Sequence, residues 1–110
     1  MSYAKWKKGK HKSFVMLGRA MLDHPEWRKL GSSAKLAYIY LKDGYVGRNN
    51  GDIKVPYSSL RDVVGLRSSS TISAALRELE KNGWIRRTNL GGLFRLPNTY
   101  ELTGTHDEYV

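Results

Sequence analysis

The chain has 110 residues, 40% of them hydrophobic, and a formal net charge of +9 at neutral pH. That length holds one domain with one modest core and needs neither disulfide nor metal. The absence of cysteine excludes disulfide and thiol chemistry, and no apolar run approaches the ~18 residues of a membrane span.

A strongly basic surface attracts phosphate backbones and releases their counterions on contact. A globular protein with a basic end would show the same total, so the placement of the cations decides. Lys5, Lys7, Lys8, Lys10 and Lys12 lie in the first twelve residues, interleaved with Tyr3 and Trp6. Residues 1–12 read as a mobile basic arm, with Lys8 and Lys10 as candidate phosphate contacts and an aromatic able to stack on an exposed base. The competing reading is a solubilising end whose Trp6 packs on the domain. The apolar residues 14–17 are too few for a signal-peptide core, and the expected compartment is the cytoplasm.

Residues 14–22 have an amphipathic helical tendency through Met16, Leu17, Ala20 and Met21. Pro25 suits the first turn of a new short helix, with Asp23 or His24 at its cap and Trp27 and Leu30 facing inward. After Gly31, Ser32 or Ser33 caps a helix from 34 to about 43. That helix is apolar nearly all round and is expected to be buried on more than one side. Asn50-Gly51-Asp52 marks a turn, Ile53-Lys54-Val55 a short strand, and Pro56 its end. A helix follows over 57–64, with Leu60, Val63 and Val64 inward. Gly65 stops it, Leu66 plugs the turn, and Ser68 or Ser69 caps the next helix.

In that next helix Ile72, Ala75, Leu76 and Leu79 stand at core spacing. Ser70, Ser73, Ala74, Arg77 and Lys81 share the opposite face. Small residues permit close approach to a groove, and hydroxyls bond to base edges or phosphate oxygens. Ser69, Ser70, Thr71, Ser73, Ala74, Arg77 and Lys81 are therefore the candidate DNA contacts. An ordinary solvated helix face has a similar composition, and Glu78 and Glu80 on the flanks fit that view.

The hairpin over 84–103 shifts the balance. With Gly91-Gly92 as a two-residue turn, Ile85, Arg87, Phe94, Leu96, Tyr100 and Leu102 share one face, toward the core. Trp84, Arg86, Thr88 and Arg95 share the other, which presents Arg86 and Arg95 to a nucleic-acid backbone. The tail, residues 104–110, is mildly acidic and is given no role.

The sequence runs Ser32-Ser33-Ala34, residues 38–41, Gly65-Leu66, residues 69–76, residues 79–85 and residues 98–103 in an order that resembles the winged helix-turn-helix domain of bacterial transcription regulators. It resembles still more the winged helix modules of phage and plasmid replication proteins. The resemblance covers about residues 14–103, and Leu79-Glu80-Lys81-Asn82-Gly83-Trp84-Ile85-Arg86-Arg87 is its most specific stretch. It implies an α+β, mainly helical fold: a three-helix core with a C-terminal β-hairpin wing and an N-terminal helical extension. The arm would be 1–12, the single winged helix domain 13–103, and the tail 104–110. Residues 57–65 would be the positioning helix, 69–82 the recognition helix, and 89–97 the wing. The implied partner is double-stranded DNA, in transcription regulation or in phage or plasmid replication. With no second winged helix and no catalytic domain after the wing, the expectation is a small stand-alone binder rather than a full initiator.

Other functions find less support. His11, His24 and His106 lie far apart with no metal-ligand spacing, and no glycine-rich phosphate loop follows a strand. Neither catalytic residues, metal, cofactor nor small-molecule ligand is expected. A protein-interaction module is the main alternative. Residues 14–22 would then supply half of a homodimer interface, and exposed Trp6, Trp84 or Tyr45 would favour it. RNA is a variant of the binding function. A ligand-sensing repressor would need a sensor domain that the chain does not carry.

Overall fold

The fold is organised around the most apolar helix of the sequence. The computed structural model describes residues 14–55, 57–89 and 98–110. Among these, α1 (Arg19–Asp23), α2 (Pro25–Arg28) and α3 (Ser32–Asp43) are followed by β1 (Ile53–Lys54), α4 (Tyr57–Leu60), α5 (Ser69–Lys81), β2 (Ile85–Arg87) and β3 (Thr99–Leu102). The three strands form one antiparallel sheet in the order β1-β3-β2. The described residues are thus α+β, with five helices and a small sheet. No helix of the described residues is long and apolar enough to cross a membrane. The basic arm with Lys8 and Lys10, His11, Pro56 and residues 90–97, including Gly91, Gly92, Phe94, Arg95 and Leu96, lie outside the described residues.

α3 buries Ala34, Ala37, Tyr38 and Leu41, and Leu36, Ile39 and Tyr40 are half-buried against the same core. Its two flanks meet different partners. On one, Ser33 Oγ donates to Gly65 O at 3.0 Å. On the other, Tyr38 and Lys42 reach the C-terminal tail. α5 packs Ile72, Ala75, Leu76 and Leu79 inward, as the spacing predicts. Trp27, Tyr38 and Trp84 form a cluster of edge-on rings with centroids 5.4–5.7 Å apart. Trp84 is 2% exposed, so it belongs to the core and not to the outer hairpin face. Its indole N–H has no hydrogen-bond partner among the described residues.

Several local expectations change in the structure. The helix expected over 14–22 contracts to the five residues of α1. Met16 lies outside it, and its carbonyl accepts from the Lys42 ammonium instead. Neither Ser32 nor Ser33 caps α3. Its N-cap is Gly31, with no side-chain cap of its own, and the Gly31 N–H donates to Glu78 Oε2 at 2.8 Å. A carboxylate from α5 thus does the capping work across the helix pair. The helix expected over 57–64 ends at Leu60. The chain then tightens into three-residue turns, Val63 N to Leu60 O and Leu66 N to Val63 O. That turns Val64 outward, 74% exposed, while Leu66 is fully buried. Gly65 sits at φ +98° with Leu36 Cδ1 3.4 Å from where a Cβ would stand. The backbone angle favours glycine there, while a Cβ would meet Leu36 in ordinary contact.

The hairpin register also differs. A two-residue Gly91-Gly92 turn would set Ile85 opposite Asn98. The structure sets Ile85 opposite Leu102, Arg86 opposite Glu101 and Arg87 opposite Tyr100. The shift is an even number of residues, so the faces are preserved. Ile85, Tyr100 and Leu102 are buried and Arg86 points outward, but Arg87, expected on the core side, is exposed at the end of β2. The loop before β1 is stitched to this sheet. The Asn50 side chain accepts from Leu102 N and donates to Leu102 O, at 2.8 and 3.0 Å. Thr88 Oγ1 donates to Gly51 O at 2.7 Å.

The tail has a structural role that its composition does not announce. Asp107 is 3% exposed. Its Oδ2 accepts from the Tyr38 hydroxyl and lies 2.9 Å from Lys42 Nζ. Burial, together with the hydrogen bond to Asp107, pushes the Tyr38 phenol well above its ordinary value. Burial also raises Tyr100. In the unfolded chain a tyrosine ionises near pH ~10. Folding therefore binds these protons more tightly, and their stability contribution is intact below about pH 10 and is lost as the pH rises beyond it. The melting temperature is expected to fall steeply above about pH 10, and less steeply in Tyr38→Phe. Thermal melts of both proteins from pH 8 to 11 check this. Parallel curves would mean that another group drives the alkaline loss.

Candidate nucleic-acid interface

Ser68 initiates α5 by chemistry visible in its sequence. Its backbone is extended at φ −106°, and its Oγ accepts from Thr71 N at 3.1 Å. The same oxygen lies 2.7 Å from Thr71 Oγ1 and 3.2 Å from Ser70 Oγ. Ser69 Oγ accepts from Arg61 Nη2 at 2.9 Å. The hydroxyls at the start of α5 are thus held in a local network. Gly83, at φ +78°, lets the chain leave the helix and enter β2.

The fold brings the expected α5 contacts onto one surface. Ser69, Ser70, Ala74, Arg77 and Lys81 are exposed, whereas Thr71 and Ser73 are half-buried on opposite flanks. Thr71, Ser70 and Ala74 border a shallow open groove whose far wall is Gly31, Ser32 and Ser33. Glu78 lies in this groove, occupied by the Gly31 N–H. It is therefore a structural carboxylate and not a solvated flank residue. Glu80 remains exposed on the other flank.

The cations divide into two groups. Arg28, Lys29, Lys42 and Arg86 form ion pairs, with Asp23, Glu26, Asp107 and Glu101 respectively. Arg86 is the consequential one for the hairpin. Its Nε donates to Glu101 Oε1 at 2.8 Å, and its Nη2 lies 2.7 Å from the same oxygen. Among the described residues, Arg19, Arg48, Lys54, Arg61, Arg67, Arg77, Lys81 and Arg87 are exposed and form no ion pair, and the last five lie on α5, the turn before it and β2. Arg61, Arg67 and Arg87 were not singled out by spacing. The signal for the first two is their position, on either side of the Val64-Gly65-Leu66 turn that precedes a serine-capped helix. Arg95, Lys8 and Lys10, the remaining expected contacts, lie outside the described residues.

The histidines behave differently from their sequence spacing. His24 and His106 stack with ring centroids 4.2 Å apart, and His106 also lies 5.4 Å from the Trp84 ring. His24 Nδ1 accepts from Glu26 N at 3.0 Å, capping α2. That bond leaves the neutral ring's proton on Nε2, so His24 serves as a cap. Among the described residues no group of three or more His, Cys, Asp or Glu side chains is placed to hold a metal ion.

Comparison with protein-family models, curated proteins and solved structures finds no match to this chain.

Proposed function

We propose that the chain is a winged helix-turn-helix protein that binds double-stranded DNA, with α5 in the major groove and the hairpin after β2 beside it. The element order supports this. A helix–turn–helix, α4 and α5, stands between β1 and β2, and β3 returns to pair with both strands. This order, taken with the sequence resemblance, supports the winged helix reading. The observation that carries the functional part is the set of unpaired cations. Arg61, Arg67, Arg77 and Lys81 all lie on the helix–turn–helix, exposed, without ion pairs among the described residues. Charges that no carboxylate compensates are available to a phosphate backbone and its counterions. The work itself would be gene regulation or phage or plasmid replication.

A protein-binding surface without DNA contact is the competing function. Two of the aromatic side chains that would favour it are not free, since Trp84 is buried and Tyr45 is half-buried.

Fluorescence anisotropy with a labelled random duplex tests the proposal. Binding is expected at micromolar protein and ~50 mM salt. An RNA duplex of the same sequence should bind more weakly, because its major groove is too deep and narrow to admit a helix. Arg77→Ala is expected to change preference among sequences by about 1–3 kcal/mol where that residue meets a base. No duplex binding at that salt overturns the proposal.

A further inference from the structure

We propose that Arg61 is the phosphate clamp of this interface and that Ser69 is its positioning residue rather than a base contact. The inference rests on the DNA-binding function proposed above. It starts from one bond. Arg61 Nη2 donates to Ser69 Oγ at 2.9 Å, across the turn that joins α4 to α5.

A guanidinium carries five N–H donors in a rigid fork and accepts none. Ser69 takes one of them. Among the described residues the others meet no acceptor, and Arg61 forms no ion pair. Its neighbour Asp62 forms none either, so the charge is not spent locally. An exposed arginine normally wanders among rotamers and loses that freedom when it binds. Here a hydroxyl from the first residue of α5 holds the fork in place beforehand. The remaining donors match the oxygens of a phosphodiester, which arginine takes in bidentate fashion.

The geometry has a second consequence. Arg61 follows α4, but it is tied to α5. A phosphate bound by this guanidinium therefore fixes the helix that carries Ser70, Ala74 and Arg77 relative to the DNA backbone. Arg67, on the other side of the turn, is exposed and has no such tether among the described hydrogen bonds, so it adds charge without setting position. The clamp carries no base information. It sets the depth and register from which the rest of α5 meets the groove.

The test uses the full chain and a labelled random duplex at several salt concentrations. It is accompanied by thermal melts and compares the parent with Arg61→Met, Arg61→Lys, Ser69→Ala and the double variant Arg61→Met/Ser69→Ala. Arg61→Met is expected to weaken binding to all sequences about tenfold and to flatten the log–log salt slope by about 0.9, the share of one phosphate. Arg61→Lys keeps the charge and therefore the slope, but loses several-fold in affinity because the fork is gone. Ser69→Ala keeps the slope and loses a few-fold, and the double variant binds no worse than Arg61→Met. An Arg61→Met protein with the parent's salt slope overturns the clamp, whatever its melting temperature, since a residue that only ties α4 to α5 would not move that slope. A parent that binds no duplex overturns the DNA-binding function and the clamp with it. A parent that binds, with Arg61→Met unchanged, overturns the clamp alone.

Discussion

Asp107→Ala is expected to cost about 3–5 kcal/mol of folding stability, because it strands a buried ammonium. The side chains of Lys42 and Asp107 are 3% and 1% exposed, and their charged atoms lie 2.9 Å apart. Lys42 also donates to the Met16 carbonyl and sits over the Tyr109 ring, 6.0 Å from its centroid. One lysine on α3 thus holds the segment before α1 and the tail after β3. A domain of this size has a total stability of about 5–15 kcal/mol, so losing this anchor removes a large part of it. Lys42→Met should cost a similar amount by leaving the carboxylate uncompensated. The triple variant Tyr38→Phe/Lys42→Met/Asp107→Leu removes every polar member together and is expected to recover much of the loss, since a buried pair is weakly stabilising against a well-packed apolar replacement. Urea unfolding of the set separates these cases. An Asp107→Ala protein within about 1 kcal/mol of the parent would show that the tail is not part of the cooperative unit.

That anchor also marks where the sequence stops being legible. Helical spacing located α3 and α5 and named the buried face of α5 residue by residue, because a 3.6-residue period reports which side meets apolar neighbours. The serine cap and glycine stop of the turn were readable because each is a local interaction. Lys42–Asp107, Tyr38–Asp107 and Gly31–Glu78 join residues far apart in the chain, and no local pattern encodes them. Glu78 looks like a surface charge in the sequence, and Lys42 looks like the last-turn cation of a helix. The hairpin register failed for a related reason. Two adjacent glycines suggest a tight turn, but pairing is decided by Ile85 and Leu102 meeting over the core and by Asn50 gripping Leu102. Among the candidate contacts, the α5 residues were found because one helix face presents them together. Arg61 was missed because its importance depends on a partner eight residues away across a turn.

The affinity for duplex DNA is expected to fall roughly a hundred- to a thousand-fold between ~50 and ~200 mM salt, and the hairpin's share of that fall should come from Arg87 rather than Arg86. Among the described residues eight exposed cations form no ion pair, and five of them, Arg61, Arg67, Arg77, Lys81 and Arg87, lie on α5, the turn before it and β2. About five phosphate contacts give a log–log slope of −4 to −5. Arg86 lies beside Arg87 in β2, but its charge is already opposed by Glu101 at 2.7 Å. A cation compensated inside the protein displaces few counterions from DNA. Arg87→Ala should therefore flatten the slope by just under one, and Arg86→Ala by clearly less. Glu101→Gln supplies the converse, freeing Arg86 and steepening the slope. The competing outcome has a physical basis, because the pair is exposed and an exposed pair is worth at most about 1 kcal/mol. A phosphate could open it at small cost, leaving Arg86→Ala and Arg87→Ala with equal effects. Salt titrations of the three variants decide between a hairpin that meets the backbone through one arginine and one that meets it through two. A parent slope steeper than about −6 would exceed these five cations and bring others into the contact, Arg95 and the lysines of residues 1–12 first.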